Sequence, residues 1–293
     1  MAYHLYIGNR IYFSWSIAAY LMFHRFGLAD QVKTTVFRPQ KESDIGPMLA
    51  EHAPAKTLPT VITPDGAILS DSMAIAEELA SRHPDTAFWP SDPLARGTAR
   101  ALANEMHSSF GGLRSDWPVN LRRSYTPVTP PENIKAELDR LEVIWTHARA
   151  IAKPNGPWLC GDYSIVDAIF APMATRLATY GFDTRPTTRA YVAAHLADPC
   201  LRRWRAMGLA NEPVMEFMER DYPQRAWPGP APLAAIAVDS GPSENTACPY
   251  SGLEVTHYLQ LDGRTYGFCN AFCRDKTVAD PEAWPAFMAL VAR

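Results

Sequence analysis

Three cysteines near the end of the chain have a spacing that suits a metal ion. Twenty residues separate Cys248 from Cys269, and three more separate Cys269 from Cys273. A Cys-x3-Cys pair at a turn or helix start can direct two thiolates at one ion, and Cys248 supplies a third. Zinc normally takes four ligands, so His257 is the expected fourth, and thiolates suit zinc and Cu(I) alike. Weaker candidates for the fourth position are Asp262 and Asp275.

The other explanation of this cluster is three free thiols in a poorly ordered tail. Aromatic residues are frequent in the same segment, among them Phe268, Phe272, Trp284 and Phe287, and disordered segments contain few of them. A segment of under ~50 residues also has too little core to fold without a metal or a disulfide. We therefore expect residues 248–293 to fold around a metal ion.

A second set of candidate residues lies near the N-terminus, where a predicted strand ends and a helix begins. Ser14 and Ser16 stand at this helix start. Serine is a favoured N-cap, so capping is the structural explanation for both. The start of a helix also stabilises an anion through its free N–H groups and its dipole, and a thiolate placed there has a lowered pKa.

Two further features follow in the same half of the chain. Pro59 stands at the start of a predicted strand, where a missing N–H is tolerated and a cis peptide bond is possible. Asp71 and Ser72 open the next helix, and capping again explains them structurally. Their functional explanation is a clamp in which Ser72 and the helix N–H groups take a carboxylate and Asp71 takes an ammonium group.

The elements that must position these residues fall into three parts. The first part predicts the order β-α-β, a loop, then β-β-α, with strands at 4–7, 32–37, 58–62 and 67–69 and helices from Ile17 and Ser72. From about His83 the strand signals stop, and the predicted helices are 96–110, 132–152, 165–180, 187–196 and 199–210. After Tyr222 several prolines predict an extended linker, followed by a compact C-terminal segment.

Composition narrows the classes of function. The 293 residues suggest two or three domains, and 47% apolar residues with a net charge of -3 are typical of a globular protein. This charge gives no reason to expect nucleic acid or a membrane as partner. No stretch predicts a transmembrane helix or a secretory signal. An odd count of five cysteines argues against a disulfide framework and for a reducing, cytoplasmic location.

Several runs resemble one family. YIGNRIYFSWSIAAYLMFHRFGL and LPTVITPDGAILSDSMAIAEELASRHP are similar to the N-terminal domain of glutathione S-transferases, of the bacterial serine type close to the zeta class. WLCGDYSIVDAIFAPMATRLATYG resembles the buried capping box of their helical domain, here Ser164 and Asp167, and EMHSSFGGLRSDWPVN resembles the same bacterial members. The resemblance covers about residues 3–220 and implies a thioredoxin-like α/β domain followed by an all-α domain.

The resemblance implies roles for glutathione as co-substrate. Lys56 meets the glycyl carboxylate, and the backbone of Leu58, before a cis Pro59, pairs with the cysteinyl part. Asp71 and Ser72 hold the γ-glutamyl group.

For catalysis, the resemblance implies that Ser14 hydrogen-bonds the glutathione sulfur. This chain departs from the family, whose members often read Ser-Ser-Trp-Ser where Phe13-Ser14-Trp15-Ser16 stands here. If the first serine is the catalytic one, Phe13 has replaced it, and Tyr12 is the alternative donor. An electrophile is expected between the two domains.

Candidate residues for the electrophile site are His107, Phe110 and Arg114. A structural histidine and a surface salt bridge are the alternative roles for the first and the last.

The Cys248–Phe287 region is similar to TRASH/YHS-type metal-binding modules. The predicted domains are therefore 1–83, thioredoxin-like and glutathione-binding; 84–222, all-helical; 223–247, a Pro-rich linker; and 248–293, a small metal-binding α+β module. The predicted function is activation of the glutathione thiol for attack on a small electrophile or for isomerisation. The alternative is a non-catalytic, glutathione-binding scaffold with a metal-sensing module. The resemblance also implies a homodimer.

Overall fold

The structure is a computed structural model that describes residues 2–153 and 155–292, without the side chain of Glu42. The chain divides into two compact units. The first unit runs to Leu196 and includes Met215–Pro228, and the second consists of Ala197–Val214 and Gly229–Arg293. The chain therefore leaves the first unit, forms part of the second, returns, and then completes the second.

The first unit begins with a four-stranded sheet in the order β2-β1-β3-β4. Its strands are Tyr3–Ile7 (β1), Val32–Val36 (β2), Thr60–Ile62 (β3) and Ile68–Leu69 (β4), and its helices are Ser14–His24 (α1), Ile45–Met48 (α2) and Ser72–Arg82 (α3). β1 and β2 are parallel because α1 crosses over between them, whereas β3 is antiparallel to β1 and β4. This arrangement confirms the predicted thioredoxin-like order of elements.

Helices make up most of the remaining first unit. They are Pro93–Ser108 (α4), Gly111–Ser115 (α5), Glu132–Ala152 (α6), Ile165–Tyr180 (α7) and Pro186–Ala197 (α8). The strand Ser124–Tyr125 (β5) pairs with Gln224–Arg225 (β6) of the returning segment. Within the described ranges, no helix is both long and apolar enough to cross a membrane.

α7 is the central helix of this unit and is buried along its whole length. Its start carries the predicted capping box of Ser164 and Asp167. The Asp167 carboxylate also accepts hydrogen bonds from the Leu159 amide at 3.1 Å and the Tyr191 hydroxyl at 3.0 Å. Burial raises the pKa of Asp167 to about 6, although these hydrogen bonds oppose the rise. α1 is buried from Ser16 to Phe23 and packs on α7, which fixes the position of its first turn.

The second unit contains a three-stranded antiparallel sheet in the order β7-β8-β9. Its strands are Ala235–Val238 (β7), His257–Leu261 (β8) and Arg264–Phe268 (β9), and its helices are Pro199–Asn211 (α9), Ala271–Ala279 (α10) and Pro285–Val291 (α11). Leu259, Tyr266 and Phe287 form part of its buried core. Arg202 of α9 donates two hydrogen bonds to Asp280, at 2.8 and 2.7 Å.

This division differs from the boundaries that the sequence suggests. The sequence assigns α9 to a helical domain at 84–222, but α9 packs on α10 and places Ala206 in the core of the second unit. The predicted linker at 223–247 contains β6 and β7, and β7 pairs with β8 over four residues. Residues 248–293 alone are too few to enclose a core, so an additional helix and strand complete it.

Candidate functional site

A cavity of about 480 Å³ opens in the first unit at the start of α1. Its polar lining includes Ser14, Thr57 and the cations Lys41, Lys56 and Arg114, and its apolar lining includes Trp15, Ile45, Leu58, Met215 and Phe217. Among the described residues, no Asp or Glu belongs to this lining. The cavity therefore combines positive charge with apolar surface, which suits an anionic ligand that has an apolar part.

The start of α1 reaches this cavity without a side-chain cap. Phe13 is the N-cap residue, and its side chain has no group that accepts a hydrogen bond from the first turn. Ser14 is the first helical residue and is half-buried. No described group hydrogen-bonds its hydroxyl. The first N–H groups of α1 and the Ser14 hydroxyl are consequently available to an anion in the cavity.

Phe13 occupies its position through packing. Its ring lies so close to Gly8 that a Cβ atom there would sit 2.2 Å from the ring. The same ring packs against a small buried cluster that includes Tyr6, Ile45 and Leu58. Phe13 is therefore built into the wall of the cavity, and only a glycine at position 8 leaves room for it.

The neighbouring hydroxyls are already engaged. Ser16 is fully buried, and its Oγ accepts the Gly8 amide at 3.1 Å, as expected for a structural serine. The Tyr12 hydroxyl donates to Glu219 Oε1 at 2.5 Å. Burial and this hydrogen bond raise the pKa of Tyr12 to about 12. The Tyr12 hydroxyl is thus already bound to a carboxylate, and the Ser16 hydroxyl to a backbone amide. Ser14 is the remaining hydroxyl of this turn that could bind a ligand.

The segment before β3 has the expected backbone. The Leu58–Pro59 peptide bond is cis. Leu58 lines the cavity, and neither its N–H nor its C=O has a backbone partner among the described residues. Lys56 and Lys41 are exposed at the cavity rim. Lys41 was not predicted from the sequence; it comes from the loop after β2 and has no local pattern that marks it.

Asp71 and Ser72 are in different situations. Asp71 caps α3 by accepting the Met73 and Ala74 amides at 2.8 and 3.0 Å, and its other oxygen lies 2.9 Å from His107 Nε2. Ser72 is 3% exposed, and its Oγ has no hydrogen-bond partner among the described residues. Ser72 is therefore ready to accept a new partner, whereas an ammonium group at Asp71 would have to share the carboxylate with His107.

The three candidates for the electrophile site are not equivalent. His107 pairs with Asp71, and its ring centre lies 5.1 Å from that of Trp15 with the planes tilted by 44°; it does not belong to the cavity lining. Phe110 is 4% exposed and has a left-handed backbone with φ of 59°, which starts α5. Arg114 alone of the three lines the cavity.

Arg114 is held in place by its neighbours. Its Nη1 donates to the carbonyls of His107 at 2.9 Å and Ser109 at 3.3 Å, and its guanidinium lies 5.0 Å from the centre of the Trp15 ring. Burial lowers its pKa. The described hydrogen bonds of Arg114 use Nη1, so Nε and Nη2 remain for a ligand.

The returning segment supplies a cavity wall that sequence reasoning missed. Met215, Phe217 and Met218 line the cavity, and Phe217 is 59% exposed. Glu219 fixes this segment, since it accepts hydrogen bonds from Asn120 at 3.0 Å as well as from Tyr12. These residues lie about two hundred positions after Tyr12, and nothing in their local pattern distinguishes them from helix core.

In the second unit, the three predicted cysteines converge. The Sγ atoms of Cys248, Cys269 and Cys273 all lie within 4.8 Å of one another, and those of Cys269 and Cys273 are 3.9 Å apart. Two sulfurs that bind one zinc ion at ~2.3 Å are about 4 Å apart, so these residues fit a thiolate-bound ion. His257 does not join them, because it begins β8 and its Nδ1 contacts Thr256 Oγ1 at 2.9 Å.

A turn and a helix start position two of the cysteines. The turn after Cys248 is closed by the hydrogen bond from the Gly252 amide to the Cys248 carbonyl at 2.9 Å. Cys273 lies in the first turn of α10, where Asn270 accepts its amide at 2.8 Å. Cys248 and Cys273 are buried, and Cys269 is partly exposed. Ions can therefore reach the cluster from the side of Cys269.

Comparison of the sequence with known proteins finds similarity to part of the first unit. Residues 13–82 match the family model of the glutathione S-transferase N-terminal domain. A 55-residue stretch is 42% identical to a probable maleylacetoacetate isomerase of Caenorhabditis elegans, and it covers 19% of this chain and 25% of that relative. The chain thus aligns with about a quarter of the length of this curated relative.

Solved structures define the class of fold. A glutathione transferase homolog from Burkholderia with bound glutathione has 21% identity and a TM-score of 0.52, over 71% of this chain and 98% of its own. A maleylacetoacetate isomerase from Anaeromyxobacter dehalogenans with bound dicarboxyethyl glutathione and citrate has 23% identity and a TM-score of 0.50, over 73% and 98%. The chain therefore has the glutathione transferase fold, with a thioredoxin-like domain followed by helices.

Proposed function

We propose that the first unit binds glutathione and uses its thiolate in a transferase or isomerase reaction. The observation that carries this proposal is the uncapped start of α1, which opens with Ser14 into a cavity lined by three cations. The fold shared with proteins solved with bound glutathione supports it. So does the local identity to a probable maleylacetoacetate isomerase.

In this proposal, glutathione extends from the cavity to the start of α3, whose Ser72 lies outside the cavity lining. Its γ-glutamyl carboxylate accepts the unpartnered Ser72 hydroxyl at the start of α3, where the next two amides are already bound by Asp71. Its cysteinyl backbone pairs with Leu58, whose amide and carbonyl are open. Its glycyl carboxylate lies at the rim near Lys56 and Lys41.

The glutathione sulfur then lies at the start of α1. The Ser14 hydroxyl donates to it, and the positive end of the helix favours the thiolate over the thiol. The thiolate forms a sulfur–carbon bond with the electrophile, and the displaced electron pair moves onto the electrophile, which takes a proton from solvent. In an isomerisation the adduct keeps the electron pair without protonation, and rotation about the resulting single bond is followed by return of that pair and loss of the same thiolate.

The electrophile that best fits this cavity carries a carboxylate and an apolar body. The unused Nε and Nη2 of Arg114 match a carboxylate in bidentate geometry. The apolar body contacts Trp15, Met215 and Phe217.

Calorimetric titration of the full chain with glutathione, followed by ultraviolet absorbance of the bound thiolate across pH, tests this function. We expect saturable binding and a bound thiol that ionises at lower pH than free glutathione. Absence of binding at millimolar glutathione would reject it.

A second candidate function is a non-catalytic, glutathione-binding scaffold that responds to metal. The convergence of Cys248, Cys269 and Cys273 favours a zinc or other soft-metal site in the second unit. Phe13 in place of a serine favours weak thiolate activation. Binding without a shift in thiol ionisation, together with stoichiometric metal by elemental analysis, selects this candidate.

We also propose a cytoplasmic homodimer. All five cysteines are unpaired, as a reducing compartment requires. Two-fold dimers are the commonest oligomers. Light scattering should give about twice the mass of one chain, and a monomer at working concentration contradicts this.

A further inference from the structure

The cysteines of the second unit lie beside a buried lysine. Lys276 follows Cys273 by three residues on α10, so both side chains lie on one face of the helix. Lys276 is 9% exposed. Its Nζ lies 4.0 Å from the ring centre of Tyr250, 4.1 Å from that of Trp284 and 5.5 Å from that of Phe272. The ammonium group is thus enclosed by aromatic faces, which attract a cation.

The rings around Lys276 are themselves fixed. The Tyr250 hydroxyl lies 2.6 Å from Thr277 Oγ1, and Trp284 Nε1 donates to the Lys276 carbonyl at 3.0 Å. Tyr250 is also two residues after Cys248, so one ring of the aromatic cage and one of the cysteines share a turn. Because Lys276 lies one helical turn after Cys273 and against the ring of Tyr250, its charge is held near the cysteines rather than in bulk water.

The geometry points to Lys276 as a fixed counter-charge for a metal–thiolate complex, which favours ions of low charge at the three cysteines. This inference rests on the proposed metal site. A metal cation that binds three thiols releases three protons to solvent. A monovalent ion then leaves two negative charges on the complex and a divalent ion leaves one. Arsenite exchanges three As–O bonds for As–S bonds, releases three water molecules and leaves none.

The benefit from a nearby ammonium grows with the negative charge of the complex. Lys276 therefore stabilises a Cu(I) complex most, a Cd(II) complex less, and an As(III) complex not at all. A residue that only supports the fold of the second unit would affect all three alike, because each needs the same three sulfurs in place.

The experiment measures the affinities of the full chain for Cu(I), Cd(II) and arsenite by competition with chelators or small thiols under anaerobic conditions. In Lys276→Met, which keeps most of the side-chain volume, we expect Cd(II) affinity to fall about tenfold, Cu(I) affinity to fall about a hundredfold, and arsenite affinity not to fall. Lys276→Arg keeps the positive charge, so its affinities for the three probes should match those of the wild-type chain. Arg264→Met is the control, since it also removes one positive charge from the second unit. Arg264 lies on β9 and pairs with Glu244 at 3.2 Å.

Equal losses for all three probes, or no loss for any, overturn the role of Lys276 while leaving the metal site in place. A wild-type chain that binds none of the probes overturns the metal site and this inference together. Losses in Arg264→Met that match those in Lys276→Met also overturn it, because the effect would then come from net charge alone.

Discussion

The two helices that begin at the proposed sulfur sites start in opposite ways. α1 begins after Phe13 without a side-chain cap, so its first N–H groups stay open towards the cavity. α10 begins after Asn270, whose side chain accepts the Cys273 amide at 2.8 Å. A helix start that receives a diffusible thiolate must keep its donors free, whereas one that carries its own thiol can use them for folding.

The positive charges differ in the same sense. Lys41 and Lys56 at the cavity are exposed, whereas Lys276 near the cysteines is 9% exposed and enclosed by rings. Exposed lysines attract a charged ligand and let it leave, because water screens them. The charge of a buried lysine is screened much less by water and salt, so it acts more strongly on groups that are fixed beside it. On the proposed functions, this difference suits a first unit that exchanges its sulfur ligand and a second unit that retains its own.

The largest expected effect comes from removing one thiolate. Cys273→Ser should lower the affinity of the second unit for Cd(II) by at least about a hundredfold, because an oxygen replaces one of three soft ligands. Elemental analysis and competition titration measure this. Glutathione affinity of the same variant should be unchanged, and Cys160→Ala, which removes a buried thiol outside the cluster, should leave metal binding intact. Loss of both activities in Cys273→Ser would show that the two sites are coupled.

The next effect concerns the open helix start. In Ser14→Ala the pKa of bound glutathione should rise by about one unit, since a hydrogen bond to the thiolate is lost. Turnover at neutral pH should then fall about tenfold and recover as pH rises, because thiolate forms fully above the new pKa. Thiolate absorbance follows the titration directly. Tyr12→Phe is the control; a shift in that variant instead would make Tyr12 the donor.

A smaller effect is expected at the γ-glutamyl end. Ser72→Ala should weaken glutathione binding by about 1–3 kcal/mol if the buried carboxylate loses its partner. Calorimetry measures the change. Ser81→Ala is matched to it on the same helix, because its hydroxyl only bonds the Glu77 carbonyl at 2.8 Å. An unchanged dissociation constant in Ser72→Ala would remove Ser72 from the site.

The smallest effect tests the capped helix start. Asn270→Ala should lower the free energy of unfolding of the second unit by about 0.5–2 kcal/mol, as loss of an N-cap does. Denaturant titration with Trp284 fluorescence reports it. Phe13→Leu provides the comparison at α1, where there is no cap hydrogen bond to lose. If the free energy of metal binding falls by more than the free energy of unfolding, Asn270 also orients Cys273.

Features with a local physical cause were predictable from the sequence. The Ser164–Asp167 capping box and the pairing of Cys269 with Cys273 follow from short-range patterns, and the structure contains them. The cis bond before Pro59 was implied by the family resemblance, and Cys248 was added to the pair because cysteines are frequent in this segment.

Features that depend on distant parts of the chain were not predictable in this way. His107 was expected in the electrophile site, but its ring pairs with Asp71, which precedes another helix. His257 was expected as a ligand, but the register that pairs it with Phe268 fixes it at the start of β8, apart from the cysteines. The wall formed by Met215 and Phe217 arises only because the chain returns after α9, and no pattern within a window of a few residues encodes that return.

The position of α9 limits where this chain can be truncated. α9 lies in the middle of the sequence, yet Ala206 and Met207 pack with the C-terminal core. Truncation of the gene after Pro228 would expose that face, and a fragment that starts at residue 240 would lack both α9 and β7. Loss of the residues after Pro228 would therefore have to be matched by polar substitutions on that face of α9. In relatives of this chain, apolar residues on that face of α9 should occur together with the cysteine segment and disappear with it.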